Sequence, residues 1–137
     1  MQTVGYSRRS LLEKLGLKPH MRALFLFEPP GYFQLLGDLP DEVMLGKELE
    51  GKFDFMQVFV TESARLEQLM PELVKTLDPN SMLWVSWPKG SSGMATDLNE
   101  NIIRDIGLKN GIVDVKVVSV DETWSGLKFV FRLKDRE

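Results

Sequence analysis

Val113-Asp-Val-Lys-Val-Val-Ser-Val120, Asp121-Glu-Thr-Trp-Ser-Gly126 and Leu127-Lys-Phe-Val-Phe-Arg-Leu133 form the stretch that decides the fold. The outer runs are of strand length and rich in β-branched and aromatic residues, while the six residues between them are mostly polar and turn-forming. A connector so short makes a hairpin, so the two strands are antiparallel. Upstream the pattern changes. Arg22–Phe27, Asp54–Val60 and Met82–Trp87 are near-continuous apolar runs, the signature of strands buried on both faces.

Between these runs lie helical signals. Leu66, Leu69, Met70, Leu73, Val74 and Leu77 keep i, i+3, i+4 spacing, with Thr61 read as the N-cap and Glu62 favourably placed against the helix dipole. Pro71 inside the pattern predicts a kink or restart near Met70. Asp97 with Glu100 reads as a capping box opening a helix to Ile106 that Gly107 stops. Ser7–Leu15 reads as a short helix stopped by Gly16, and Tyr32–Leu36 as one or two turns closed by Gly37. Glu28-Pro29-Pro30-Gly31 breaks the first strand, and Asp78-Pro79-Asn80 is a turn. The polar segment Asp38–Lys52 offers only Val43-Met44-Leu45 as a short strand.

Strands alternating with helices predict a mainly parallel sheet with helices on both faces, a compact three-layer α/β sandwich that ends in the antiparallel hairpin. The 137 residues suit a single domain spanning 1–137. A formal charge of −3 gives no basic face, so neither nucleic acid nor an anionic membrane is an expected partner. With no cysteine and one histidine, His20, thiol chemistry and thiolate metal sites are excluded and no metal is expected. No secretory leader is visible in MQTVGYSRRS and no apolar run approaches a membrane span, so a cytoplasmic location is expected.

The element order, with Leu17-Lys-Pro-His-Met-Arg22, Phe53-Asp54 and Leu77-Asp-Pro-Asn-Ser-Met82 before their strands, resembles the Rossmann-like methyltransferase fold. Against that fold the chain looks truncated, with two βα units compressed into Asp38–Phe53. More closely, Met82-Leu-Trp-Val-Ser-Trp-Pro-Lys89, Ala95-Thr-Asp-Leu98, Val113-Asp-Val-Lys116 and Asp121-Glu-Thr-Trp-Ser-Gly-Leu-Lys-Phe129 resemble a family of small bacterial proteins of unknown function. The methyltransferase resemblance implies an acidic residue and several glycines around the end of the first strand, where backbone amides approach S-adenosylmethionine. Here Phe25 stands at the acidic position, Phe27 and Pro29 at glycine positions, and only Gly31 survives. Bulk blocks the approach and proline removes donors, so no cofactor is expected and S-adenosylmethionine is disfavoured.

Individual motifs carry less. Gly46-Lys-Glu-Leu-Glu-Gly51-Lys52 has phosphate-loop spacing, but Phe53 replaces the hydroxyl residue and a strand follows, so it reads as a connecting loop. His20 lies at the sheet edge away from where ligands bind and reads as a turn histidine. Phe25, Phe27, Phe55, Trp84, Phe129 and Phe131 read as core. Loops following parallel strands gather on one edge, and ligands prefer that edge. They carry Glu28, Gly31 and Tyr32; then Thr61; then Trp87, Lys89, Ser91 and Ser92; then Asp121, Glu122 and Trp124. Helix N-termini at Thr61 and near Asp97 point the same way and offer amides to an anion. This set either holds a small polar ligand or forms a self-satisfied network tying the loops together. The leading expectation is a non-catalytic module that binds a ligand or a protein on a degenerate methyltransferase-like scaffold, with self-association through the uncovered flank of the first strand as a further option. The alternative is a small S-adenosylmethionine-dependent methyltransferase, or another group-transfer enzyme, using the same edge.

Overall fold

The computed structural model describes residues 10–136. Its strands are β1 (Arg22–Leu26), β2 (Met44–Leu45), β3 (Phe53–Phe59), β4 (Leu77–Pro88), β5 (Ile112–Ser119) and β6 (Trp124–Phe131). The helices are α1 (Leu11–Leu15), α2 (Tyr32–Leu36), α3 (Ser63–Lys75) and α4 (Glu100–Lys109). One sheet runs in the order β2-β1-β3-β4-β6-β5. β1 pairs parallel with β2 and β3, and β3 parallel with β4. β6 enters between β4 and β5, antiparallel to both, so the hairpin contributes the sheet's one reversed strand. The mainly parallel α/β sandwich read from the sequence is the fold observed.

The two faces of the sheet are covered by separate clusters. On one side Leu66, Met70 and Leu73 of α3, spaced i, i+4, i+7, join Ile103 and Ile106 of α4 over Met56, Val58, Leu83, Val85 and Leu127. On the other, Leu15 of α1 and Tyr32 and Leu36 of α2 cover Phe25, Phe55, Phe59, Trp84 and Trp124. Each large apolar side chain fully removed from water contributes about 1.5–3 kcal/mol. Trp84, fully buried, also donates its indole N–H to the Leu15 carbonyl at 2.8 Å, which ties α1 to the sheet.

Several local readings are corrected by long-range contacts. α3 starts at Ser63, with Glu62 rather than Thr61 as N-cap and no capping side chain of its own. Its first turn is bonded from elsewhere: the Asp97 carboxylate accepts from the Ser63 backbone N–H and hydroxyl, both at 2.8 Å. Asp97 therefore does not cap α4; Asn99 does, accepting from the Ile102 N–H. Pro71 sits within α3, which runs on through it to Lys75. Gly107 does not stop α4. A Cβ there would lie 2.2 Å from the Phe129 ring, so this glycine lets the helix settle on β6. Asp78-Pro79-Asn80 turns locally, with Asn80 N–H bonded to the Asp78 carboxylate, yet it lies inside β4 as a bulge between the pairs Phe53–Leu77 and Phe55–Met82.

β1 stops at Leu26, and Phe27 leaves the core. Phe27 takes φ 60°, is 48% exposed, and lies with its ring 4.5 Å from the Arg65 guanidinium. Ser7–Arg9, the start expected for the first helix, lie outside the described residues; from Ser10 onward a capping box with Glu13 opens α1, and Gly16 ends it. The short strand expected at Val43–Leu45 is the two-residue β2, whose Met44 and Leu45 are exposed. His20 is a surface turn residue 3.5 Å from Glu42. Gly51 makes room for the Arg22 guanidinium, which donates to the Glu50 and Lys52 carbonyls, so the loop with phosphate-loop spacing is folded around an arginine.

Candidate functional site

The C-terminal ends of β1, β3 and β4 open on one edge, and three clefts lie along it. The first, about 420 Å³, is walled by Pro30, Tyr32 and Leu35 after β1, by Met94 after β4, and by Asp121 and Trp124 in the hairpin turn. The second, about 570 Å³, lies between Thr61 and Glu62 at the start of α3 and Ala95–Asp97. The third, about 270 Å³, is set between the ends of β1 and β2, with Glu28, Phe33, Leu45 and Lys47 around it.

The first cleft has a polar floor. Tyr32 is buried, and its hydroxyl donates to Gln57 Oε1 at 2.6 Å. Gln57 Nε2 in turn donates to Ser86 Oγ at 3.1 Å, and both residues are wholly buried on β3 and β4. Alternation puts Gln57 on the face of Phe55 and Phe59, and Ser86 on that of Trp84, so the chain of hydrogen bonds crosses the sheet beneath α2. Gly126 of β6 leaves space there: a Cβ would come to 3.2 Å from the Trp84 ring and 3.5 Å from Ser86 Oγ. Burial holds the Tyr32 phenol well above its usual range, with the nearby Asp121 charge adding to the shift. The phenol therefore stays protonated, its one proton directed inward.

Asp121 shapes the hairpin turn. Its Oδ1 accepts from the Thr123 and Trp124 N–H groups, both at 2.8 Å, while its Oδ2 has no partner among the described residues. Trp124 packs edge-on against Phe59 at 5.1 Å between ring centres and is almost fully buried.

The expected site residues divide. Gly31, Tyr32, Asp121 and Trp124 come together around the first cleft, Thr61 lines the second, and Glu28 lines the third. Trp87 is buried on the α3/α4 side, facing away from the first cleft. Lys89 donates to Ser119 Oγ at 2.6 Å and its backbone N–H to the Thr123 carbonyl, so it ties the loop to the hairpin. Ser91 and Ser92 form a short 3₁₀ turn, Ser92 Oγ accepting from the Met94 N–H. Ser91, Ser92 and Glu122 line none of the three clefts. The α3 N-terminus, read as an open anion site, is occupied by Asp97, whose carboxyl the two Ser63 hydrogen bonds hold below the usual carboxylate range. Gln57 and Ser86 were not singled out; the sequence signal for them was a polar residue set in each of two otherwise apolar strands. Among the described residues no group of three or more His, Asp or Glu side chains is arranged to hold a metal ion. No helix among them is long and apolar enough to cross a membrane.

A SAM-dependent methyltransferase from Aquifex aeolicus is similar with TM-score 0.62 and 17% identity, over 87% of this chain and 86% of that one. The magnesium protoporphyrin IX methyltransferase from Synechocystis, solved with SAM bound, gives 0.61 and 15% over 89% and 74%. A ribosomal protein L11 methylase from Lactobacillus delbrueckii gives 0.59 and 14% over 89% and 75%. The fold is the methyltransferase-like Rossmann fold. No family model matches the sequence, and no curated protein matches it. Each of these likenesses is one of fold. Because Synechocystis structures carry SAM and SAH, the comparisons lend no support to the expectation that this chain takes no cofactor.

The residues after β1 do not fit S-adenosylmethionine in the pose that needs backbone amides and bare glycines. Pro29 and Pro30 have no N–H to give. Phe27 keeps the left-handed backbone that suits glycine but carries a ring at that turn. Gly31, at φ 81°, opens α2. Gly46, beyond β2, makes room for the Phe53 ring, which a Cβ would meet at 2.5 Å.

Proposed function

We propose that this chain is a small-molecule-binding domain on the methyltransferase scaffold, its ligand seated in the cleft between Tyr32 and Trp124. The observation that carries this reading is the buried Tyr32–Gln57–Ser86 chain beneath a cleft that Tyr32 and Asp121 both line. Buried polar groups cost stability unless they are matched, and a core tolerates them most readily where they orient something. The position agrees with the general preference of open α/β sheets for ligands at strand C-terminal ends. Thermal unfolding of the wild type, titrated with S-adenosylmethionine, S-adenosylhomocysteine, nucleotides and small organic ammonium compounds and with intrinsic tryptophan fluorescence as a second report, tests it. Stabilisation that grows with ligand concentration supports the reading; no response to the whole panel at millimolar concentration overturns it.

A second reading, methyl transfer, is favoured by the structural likeness to methyltransferases. It requires that S-adenosylmethionine bind in a pose other than the glycine-loop one. Saturable binding of both S-adenosyl compounds would move the weight to this reading, whereas binding of other ligands alone would remove it.

A further inference from the structure

The cleft between Tyr32 and Trp124 has a one-sided chemistry. Pro29 and Pro30 bring no amide, and most other N–H groups of its wall are engaged within the protein. The Tyr32 N–H bonds to the Pro29 carbonyl, that of Leu35 to Gly31, and that of Met94 to Ser92 Oγ. In the hairpin, Asp121 N–H bonds to the Trp124 carbonyl, while the Thr123 and Trp124 amides bond to Asp121 Oδ1. The Tyr32 hydroxyl proton is committed to Gln57, so Tyr32, which lines the cleft, offers it lone pairs and no hydroxyl donor. Asp121 Oδ2, the carboxylate oxygen that does not bond the hairpin amides, has no partner among the described residues, and no lysine or arginine lines the cleft. The nearby Lys89 ammonium is held by Ser119. The neutral donors left, the Gly31 amide, the Thr123 hydroxyl and the Trp124 indole N–H, carry no charge to offset the carboxylate.

We propose that the cleft selects a cationic group, an ammonium or similar positive centre, which Asp121 Oδ2 and the Tyr32 oxygen receive, and that it rejects carboxylates and phosphates. This rests on the reading that the cleft is a binding site and adds the charge of what enters it. A cation in a partly desolvated site gains from a single carboxylate and from neighbouring aromatic rings, while an anion is repelled by that carboxylate. In Gln57 the chain holds a positioning residue: its carbonyl keeps the Tyr32 hydrogen turned away from the ligand.

Three probes sharing one ring separate the cases: benzylammonium, benzyl alcohol and benzoate, followed through the Met94 methyl and Trp124 indole resonances of the full chain. Benzylammonium is expected to saturate, benzyl alcohol to bind about tenfold more weakly, and benzoate not to bind. Asp121→Asn retains an oxygen for the Thr123 and Trp124 amides and is expected to lower the ammonium affinity to that of the alcohol. Tyr32→Phe, a second variant with the hairpin intact, is expected to lower it about threefold. Benzoate binding as tightly as benzylammonium, or an Asp121→Asn affinity equal to wild type, overturns the charge selection alone. Silence of both resonances to all three probes overturns the binding-site reading and the selection with it.

Discussion

The two layers that cover the sheet are built differently. On one face α3 and α4, of 13 and 10 residues, lay continuous apolar stripes over the strands. On the other, α1 and α2 are five residues each, and the space they leave is filled by aromatic rings, by the Tyr32–Gln57–Ser86 chain and by the cleft beside Trp124. The thick layer is a packing device. The thin one buries polar groups and leaves room, and most of the candidate site lies in it.

This contrast can be broken by measurement. In the thick layer Leu73→Ala is expected to cost about 4 kcal/mol, whereas Leu36→Ala on α2 costs about 2, because its site collapses more easily. Equal losses in chemical denaturation would mean that both layers are packed alike. Trp124→Ala is next, at about 3 kcal/mol, against less than about 0.5 for Lys89→Ala, since one loses a buried ring and the other a surface hydrogen bond. Coincident denaturation midpoints for those two variants would refute the packing role given to Trp124. Gln57→Leu should cost about 1–2 kcal/mol by stripping Tyr32 of its acceptor and Ser86 of its donor. Were the leucine variant more stable than wild type, the polar chain would have no part in holding the thin layer together.

The smallest effect concerns pH. The Asp97 carboxyl is held below its usual range by the two Ser63 hydrogen bonds, so its contribution is present above the unfolded-state value and is lost as pH falls through the lowered folded one. The stability gap between wild type and Asp97→Asn should therefore be seen at neutral pH and close on acidification. A gap that stays constant from neutral pH down into the acid range would show that the charge is not what Ser63 recognises.

The strands, their order of appearance and the hairpin were legible because each is encoded within a window of a few residues: apolar runs, helical spacing and a short polar connector, though Trp124–Gly126 of the expected six-residue connector pair within β6. What escaped reading depends on partners far away along the chain. Asp97 lies two residues before the true cap Asn99, and its partner Ser63 is 34 residues upstream. Gly107 looks like a stop until Phe129 is seen against it. Phe27 looks like the end of a core strand, but the backbone turns over at that residue and sends the ring toward Arg65. For the site, residue types after each strand were enough to gather Tyr32, Asp121 and Trp124. They could not show that Trp87 faces the opposite layer, nor that Gln57 and Ser86 meet across two strands.

The short segment after β4 has a consequence for how the edge responds. Met94 walls the cleft of Tyr32, and Ala95, Thr96 and Asp97 wall its neighbour, with Thr96 bonded to the Thr61 carbonyl and Asp97 to Ser63. The two clefts thus share one partition four residues long. By thermodynamic reciprocity, if an occupant of one cleft shifts that partition and so changes the affinity of the other cleft, an occupant of the other changes the first affinity by the same factor.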